Sequence, residues 1–406
     1  MKIPKIGPAV LVTAAFIGPG TVITASLAGA NYGFSLLWAL LFAIIATIIL
    51  QEMAARLGVV TQQGLGENIR STFKQPVLRA AAIVLVVSAI VVGNGAYQSG
   101  NISGASLGLA SLIEFDSMFG MESAVLWPLI IGAIAFLLLW TGSYKVIEKA
   151  LIVLVVFMSI AFLLTMVIAR PDFSQLFSGL LVPRIPGGAS LTVIALIGTT
   201  VVPYNLFMHS ASASQKWQSA DQLPEARKDL LFSIPLGGLI SIAIVSTAAT
   251  AFFGKPFVPT SVADLAPALQ PIAGDMAKTL MASGLFAAGI SSAVTAPLAA
   301  AYALSGIMDL NKKLDSIQFK SIWASILIIG VIVSSLGYRP INIILFAQIA
   351  NGILLPVVTV FLLWLMNTEK LGDYRNNSLQ NVLGAAVLLI TLMLSTRSLM
   401  SAFGLL

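Results

Sequence analysis

The sequence predicts an all-α integral membrane protein, and three observations carry that prediction. Of its 406 residues, 58% are hydrophobic and only 9% charged, where a soluble domain carries about 25% charged residues. Mean hydropathy is +0.97, so the chain lacks the polar surface needed to stay in water. The apolar residues also fall into long runs bounded by charges or Pro/Gly pairs. At roughly 20 residues per helix plus short loops, about eleven spans fit. The expectation is one transmembrane domain over 1–406, with no soluble domain on either side.

In chain order the spans are expected near 6–30, 34–56, 78–112, 124–142, 146–169, 187–213, 229–253, 276–307, 320–337, 341–366 and 380–402. The third and eighth runs exceed one crossing and should tilt or extend beyond the lipid. Alternating the loops places all 22 Lys and Arg residues on the N-terminal side except Arg170, Arg184, Lys255, Lys278, Arg339 and Arg397. By the positive-inside rule the N-terminus is cytoplasmic and, with an odd span count, the C-terminus is outside. A bacterial-type inner (plasma) membrane fits this pattern. No small-residue cleavage site follows the first apolar stretch, so no cleaved signal peptide is expected. The net charge of +6 is a topology signal in short loops, and no nucleic-acid partner is implied.

Cysteine is absent, which excludes disulfides, thiolate metal sites and cysteine nucleophiles. No nucleophile–base pair, phosphate loop or metal-ligand cluster is legible, so neither an enzyme nor a cofactor is expected. The 16 acidic residues all assign to loops or helix ends in this reading. Glu52 comes nearest to the membrane, one turn before Arg56, where an i,i+4 ion pair at the interface accounts for it.

Two spans are interrupted. Gly18-Pro19-Gly20-Thr21 lies in the middle of the first, and Val202-Pro203-Tyr204-Asn205 in the middle of the sixth. Proline removes a backbone donor and clashes with the preceding turn, while glycine relaxes the steric limits around it. One such site would be explained by a simple kink. Two at corresponding places of two five-helix halves, about 6–169 and 187–366 with an extra helix near 380–402, form the pattern of an inverted-repeat transporter. Unpaired backbone is tolerated at mid-membrane only where it lines a cavity.

These residues resemble the NRAMP family of proton-coupled divalent-metal transporters. Gln51-Glu52-Met53-Ala54-Ala55-Arg56-Leu57-Gly58-Val59-Val60-Thr61, together with Trp38, is similar to the family's helix 2 and the loop after it. Pro203-Tyr204-Asn205-Leu206-Phe207-Met208-His209-Ser210 resembles its helix 6 motif Met-Pro-His-Asn-Leu-Tyr-Leu-His-Ser, and Gly284 to Ser292 resembles helix 8. The resemblance implies a LeuT-like 5+5 inverted-repeat fold with helices 1 and 6 broken. It also implies departures. Where the family's Asp-Pro-Gly-Asn binds metal, this chain has Gly18 and Thr21. Thr199 and Val202 stand at the helix 6 alanine carbonyl and methionine sulfur, and Tyr204 stands at the first histidine. Asn94 and Tyr97 replace the helix 3 carboxylates of the proton route. The coordinating glutamine of helix 10 falls on Leu354, with Gln348 and Asn351 on the same helix. His209 matches the second helix 6 histidine and is the candidate for proton coupling.

The candidate substrate-binding residues are therefore Gly18, Thr21, Asn94, Tyr97, Thr199, Val202, Tyr204, Asn205, Gln348 and Asn351, none of them a metal-binding carboxylate. Hard divalent cations need oxygen ligands that normally include carboxylates. Neutral hydroxyls and carbonyls instead suit a monovalent ion or a small polar solute, moved with a coupling ion such as H⁺ or Na⁺ through the lipid bilayer. The alternatives are a partly hydrated divalent metal held by backbone carbonyls, and a membrane sensor without transport. Three amides and a phenol within Asn94–Asn101 are costly in a lipid-buried span unless a cavity or partner satisfies them.

Overall fold

The computed structural model describes residues 8–9, 17–113, 117–118, 121–141, 145–255, 259–311, 313–403 and 405. Fourteen helices of eight or more residues order the chain: α1 (Pro19–Tyr32), α2 (Leu37–Thr61), α3 (Leu65–Thr72), α4 (Pro76–Leu112), α5 (Ser123–Thr141), α6 (Lys145–Ala169), α7 (Phe173–Leu181), α8 (Ser190–Thr200), α9 (Pro203–Lys216), α10 (Leu223–Phe252), α11 (Ala277–Met308), α12 (Ile317–Ser334), α13 (Pro340–Leu365) and α14 (Ser378–Ala402). Among the described residues, nine helices are long and apolar enough to cross a membrane. The described residues are nearly all helical, with one two-residue hairpin among them pairing Ser117–Met118 with Met121–Glu122.

Local chemistry sets the helix starts. Proline occupies the first turn of α1, α4, α9, α10 and α13, where its missing N–H would be unpaired anyway. Asp172, Ser316 and Asn377 cap α7, α12 and α14 through their side chains, satisfying first-turn donors. The span expected at 229–253 begins six residues earlier, at Leu223. Glu225, Arg227 and Lys228, read as a loop boundary, lie on the helix because Pro224 starts it upstream. Of the first expected span, residues 6–7 and 10–16 lie outside the described residues.

Two long helices, α4 and α11, pack closely against each other. A Cβ on Gly108 of α4 would strike the Ala282 carbonyl and the Phe286 backbone of α11, and one on Gly289 of α11 would strike the Ala105 backbone. Such close approach is how membrane helices gain dispersion contact where lipid is as apolar as leucine. Leu181, Phe346 and Leu389 stand on the outer surface, as a lipid-facing belt requires.

At one end of α2 the expected ion pair is present and belongs to a larger network. The Arg56 guanidinium donates to Glu52 Oε2 at 3.0 Å, and Arg227 of α10 donates to Glu52 Oε1 at 2.9 and 2.8 Å. Arg56 also reaches the Tyr374 carbonyl, Asn376 Oδ1 and Gln380 Oε1 at 2.8, 2.7 and 3.3 Å. The segment between α13 and α14 is thereby tied to α2. The placement of every carboxylate in a loop or at a helix end is corrected by Asp229. It sits in the second turn of α10, only 6% exposed, and accepts a hydrogen bond from the Ala9 backbone N–H at 2.9 Å.

Candidate substrate site at two broken helices

The sixth expected span is two helices. α8 ends at Thr200, Val201 and Val202 leave helical geometry (φ −97°, ψ 77° and φ −83°, ψ 121°), and α9 restarts at Pro203. The residue before a proline is pushed from helical to extended backbone, so Val202-Pro203 enforces the interruption. The end of α8 presents carbonyls without intrahelical partners and the start of α9 presents N–H groups. In the first span, Gly18 is extended (φ −112°, ψ −175°) and Pro19 opens α1 with no side-chain cap.

The two breaks meet. Thr21 Oγ1 and Thr199 Oγ1 are 2.8 Å apart, both fully buried, so one hydroxyl donates to the other across 178 residues of sequence. Gln348 of α13 lies over the start of α1, and a Cβ on Gly20 would collide with its amide. With glycine at position 20 the Gln348 amide can lie directly against the start of α1. Gln348 Oε1 and both amide atoms of Asn205 are buried without a hydrogen-bond partner.

A second polar group stands where α4, α9 and α13 converge. The Tyr97 and Tyr204 rings are 5.3 Å apart at 58°. Asn94, Tyr204 and Asn351 line a small cavity of about 10 Å³ together with Leu354 and Pro203. Leu354, where the family's helix 10 glutamine was expected to fall, is thus an apolar wall, and Gln348 is the amide that reaches the first break. Further along α9, His209 Nδ1 pairs with Gln51 Oε1 at 2.8 Å while Nε2 has no partner.

Of the residues expected from sequence, Thr21, Thr199 and Gln348 gather at the breaks, Asn94, Tyr97, Tyr204 and Asn351 gather beside them, and Asn205 opens α9. Gly18 contributes backbone alone. Val202 is buried and brings no donor or acceptor side chain. Gln51 was quoted for its motif but not for contact with His209. Among the described residues no three of His, Asp and Glu stand close enough to hold a metal ion.

The sequence profile of the family described as Natural resistance-associated macrophage protein-like matches residues 9–401. The chain belongs to the Nramp family. It is 27% identical to the divalent metal cation transporter MntH of Yersinia enterocolitica, over 99% of this chain and 96% of the relative. It is likewise 27% identical to MntH of Verminephrobacter eiseniae, over 100% of this chain and 90% of the relative. Among solved structures, a manganese transporter of Eremococcus coleocola superposes with a TM-score of 0.77 at 23% identity, covering 98% of this chain and 86% of that one. MhsT in complex with L-phenylalanine superposes at 0.61 with 16% identity, covering 97% and 98%. These likenesses bear out the expected fold, a LeuT-like inverted repeat with helices 1 and 6 broken, and the chain is a membrane transporter of the Nramp family.

Proposed function

We propose that this Nramp-family transporter is a secondary active transporter whose cargo is held by neutral groups at the two breaks. The cargo is then a monovalent ion or a small polar solute and not tightly bound Mn²⁺. The observation that carries this is the Thr21–Thr199 bridge, surrounded by buried amides and no carboxylate among the residues placed at the breaks. A dehydrated divalent cation would face no negative charge there. In this reading the repeats run from about 6 to 169 and 187 to 366, with the helix near 380–402 outside them. The N-terminus faces the cytoplasm of a bacterial-type inner membrane, the C-terminus faces outside, and His209 is the group able to couple a proton.

Calorimetry on the purified protein is expected to give no Mn²⁺ binding tighter than about 1 mM. A micromolar Mn²⁺ site would overturn the reading. The second reading, a divalent-metal importer working through backbone carbonyls and a partly hydrated ion, is favoured by the names of the relatives that match nearly the whole chain. It predicts Mn²⁺ or Mg²⁺ uptake into proteoliposomes that a bulky Thr21→Phe change abolishes.

A further inference from the structure

A partly open polar pocket of about 250 Å³ lies at the start of α2. Arg56 is near the other end of that helix, roughly 30 Å away at 1.5 Å per residue. Tyr32 ends α1, Ser35 precedes α2 and Phe253 follows α10, so the pocket is lined where three spans stop. That is the depth of lipid headgroups. Its walls are held in place by close contacts. A Cβ on Gly179 would strike the Phe34 carbonyl, which sets α7 directly against the turn between α1 and α2. The Trp38 indole N–H donates to the Arg184 carbonyl at 2.8 Å and so fixes the backbone of that arginine.

The lining carries one charge, and it is positive. Arg184 is joined there by the hydroxyl-bearing Tyr32, Ser35, Ser174 and Ser178 and by Gln175. Among the described residues no carboxylate lines the pocket, and none forms an ion pair with the Arg184 guanidinium. Asp172, the acid nearest to the α7 wall in sequence, is turned to that helix itself. It accepts from the Ser174 and Gln175 N–H groups at 2.9 and 3.2 Å and from Gln175 Nε2 at 2.9 Å. An ammonium group would find no negative charge in these walls. An anionic oxygen finds a guanidinium, whose planar fork matches phosphate.

The other face of α7 indicates what carries that phosphate. Phe173, Phe177 and Leu181 recur at i, i+4 and i+8 and are 58%, 58% and 71% exposed, while Ser174, Gln175 and Ser178 on the adjoining face line the pocket. An exposed apolar stripe beside a polar face is the pattern of a helix lying in the membrane interface. Phe253, itself a lining residue, is also exposed. We propose that the pocket seats the headgroup phosphate of an anionic phospholipid, with Arg184 as its cationic ligand and the Phe173–Phe177–Leu181 stripe against its chains. The proposal is independent of what the transporter carries.

The test is native mass spectrometry of the detergent-solubilised chain titrated with phosphatidylglycerol or phosphatidylcholine. Phosphatidylglycerol is expected to bind the more tightly, and Arg184→Gln should weaken it about tenfold, as loss of a hydrogen bond to a charged group predicts. Ser178→Leu, which fills the pocket and keeps the arginine, should weaken it likewise. Both side chains are exposed, so neither change removes core packing. Arg339→Gln, at an exposed arginine outside the pocket lining, should leave the affinity unchanged. Undiminished phosphatidylglycerol binding in both Arg184→Gln and Ser178→Leu overturns the proposal. So does an equal loss in Arg339→Gln, which would mean diffuse surface charge, or equal binding of the two lipids, which would mean no headgroup selection. Inorganic phosphate at millimolar concentration should fail to displace the lipid. Displacement would assign the pocket to a free anion and overturn the lipid.

Discussion

Thr21 and Thr199 show how little side chain is needed to join two broken helices. Their hydroxyls lie 2.8 Å apart, and replacing one by the isosteric apolar residue removes one neutral hydrogen bond. Thr199→Val should therefore cost only about 1 kcal/mol of stability. Cargo uptake should fall much further if these hydroxyls contact cargo, and an uptake loss no larger than the stability loss would reduce the pair to a structural clasp. Gly198 is a stricter position, since a Cβ there would meet the backbone carbonyl of Gln348. Gly198→Ala is expected to destabilise by about 1–3 kcal/mol through overpacking, read as a lowered unfolding midpoint. The polar run Asn94–Asn101 stood out in the sequence because amides inside an apolar span demand partners, and its residues did divide between cavity and scaffold. Asn94 faces the cavity, while Gln98 Nε2 donates to the Ala293 carbonyl at 3.0 Å. The partners themselves were not legible. Gln51–His209 and Arg56–Asn376 are separated by 158 and 320 residues, and helical periodicity relates only neighbours three or four apart.

At the scale of elements, the proline and glycine positions announced the broken helices, because those residues act on the backbone within one turn. The reach of α10 did not show, because its first turns are charged and read as loop. That charged start matters, for Arg227 reaches Glu52 and so joins α10 to the Arg56 network. Arg56 is buried while Arg227 is 46% exposed on its side chain. Arg56→Ala should free the segment 366–378 from α2 and accelerate its cleavage in limited proteolysis. Arg227→Ala, which removes an exposed pair of small net value, should leave the cleavage rate nearly unchanged. Equal effects would show that Arg56 does not anchor the segment. The loop before α11 has its own clasp at Asp264, whose carboxylate accepts from the Thr260 backbone at 2.8 Å and from Ser261. The Thr260 N–H foremost, with the Ser261 N–H and both hydroxyls, holds this carboxyl below its ordinary value of 3.8. A lowered value means the stabilisation is fully present above pH 3.8 and is lost as pH falls through the folded value. The difference in unfolding midpoint between wild type and Asp264→Asn should accordingly be constant near neutrality and vanish in acid. A difference that grows on acidification would contradict this assignment.

Across the whole molecule, Thr21, Thr199 and Asn205 at the breaks have no exposed surface. Alternating access then requires one seam to part at a time, and the seam at the Arg56 end can be located. Gly58 of α2 packs on the Ser210 carbonyl of α9, Gly66 of α3 lies 2.8 Å from the Ala303 carbonyl of α11 measured from an added Cβ, and Arg70 pairs with Asp309 at 3.1 Å. These contacts hold α2 and α3 against α9 and α11, and packed interfaces of this kind are bistable rather than continuously deformable. A methyl at Gly58 meets backbone and cannot be absorbed by a rotamer change, so Gly58→Ala should favour the state in which this end is open. The chain has no cysteine, which makes a single Thr21→Cys an uncluttered reporter. In reconstituted vesicles, a membrane-impermeant thiol reagent should label Thr21→Cys slowly from either side. The added Gly58→Ala change should accelerate labelling severalfold from the Arg56 side alone. Acceleration from the opposite side would mean that the seam closes the other entrance, and unchanged labelling would mean that α2 and α9 move together as one body.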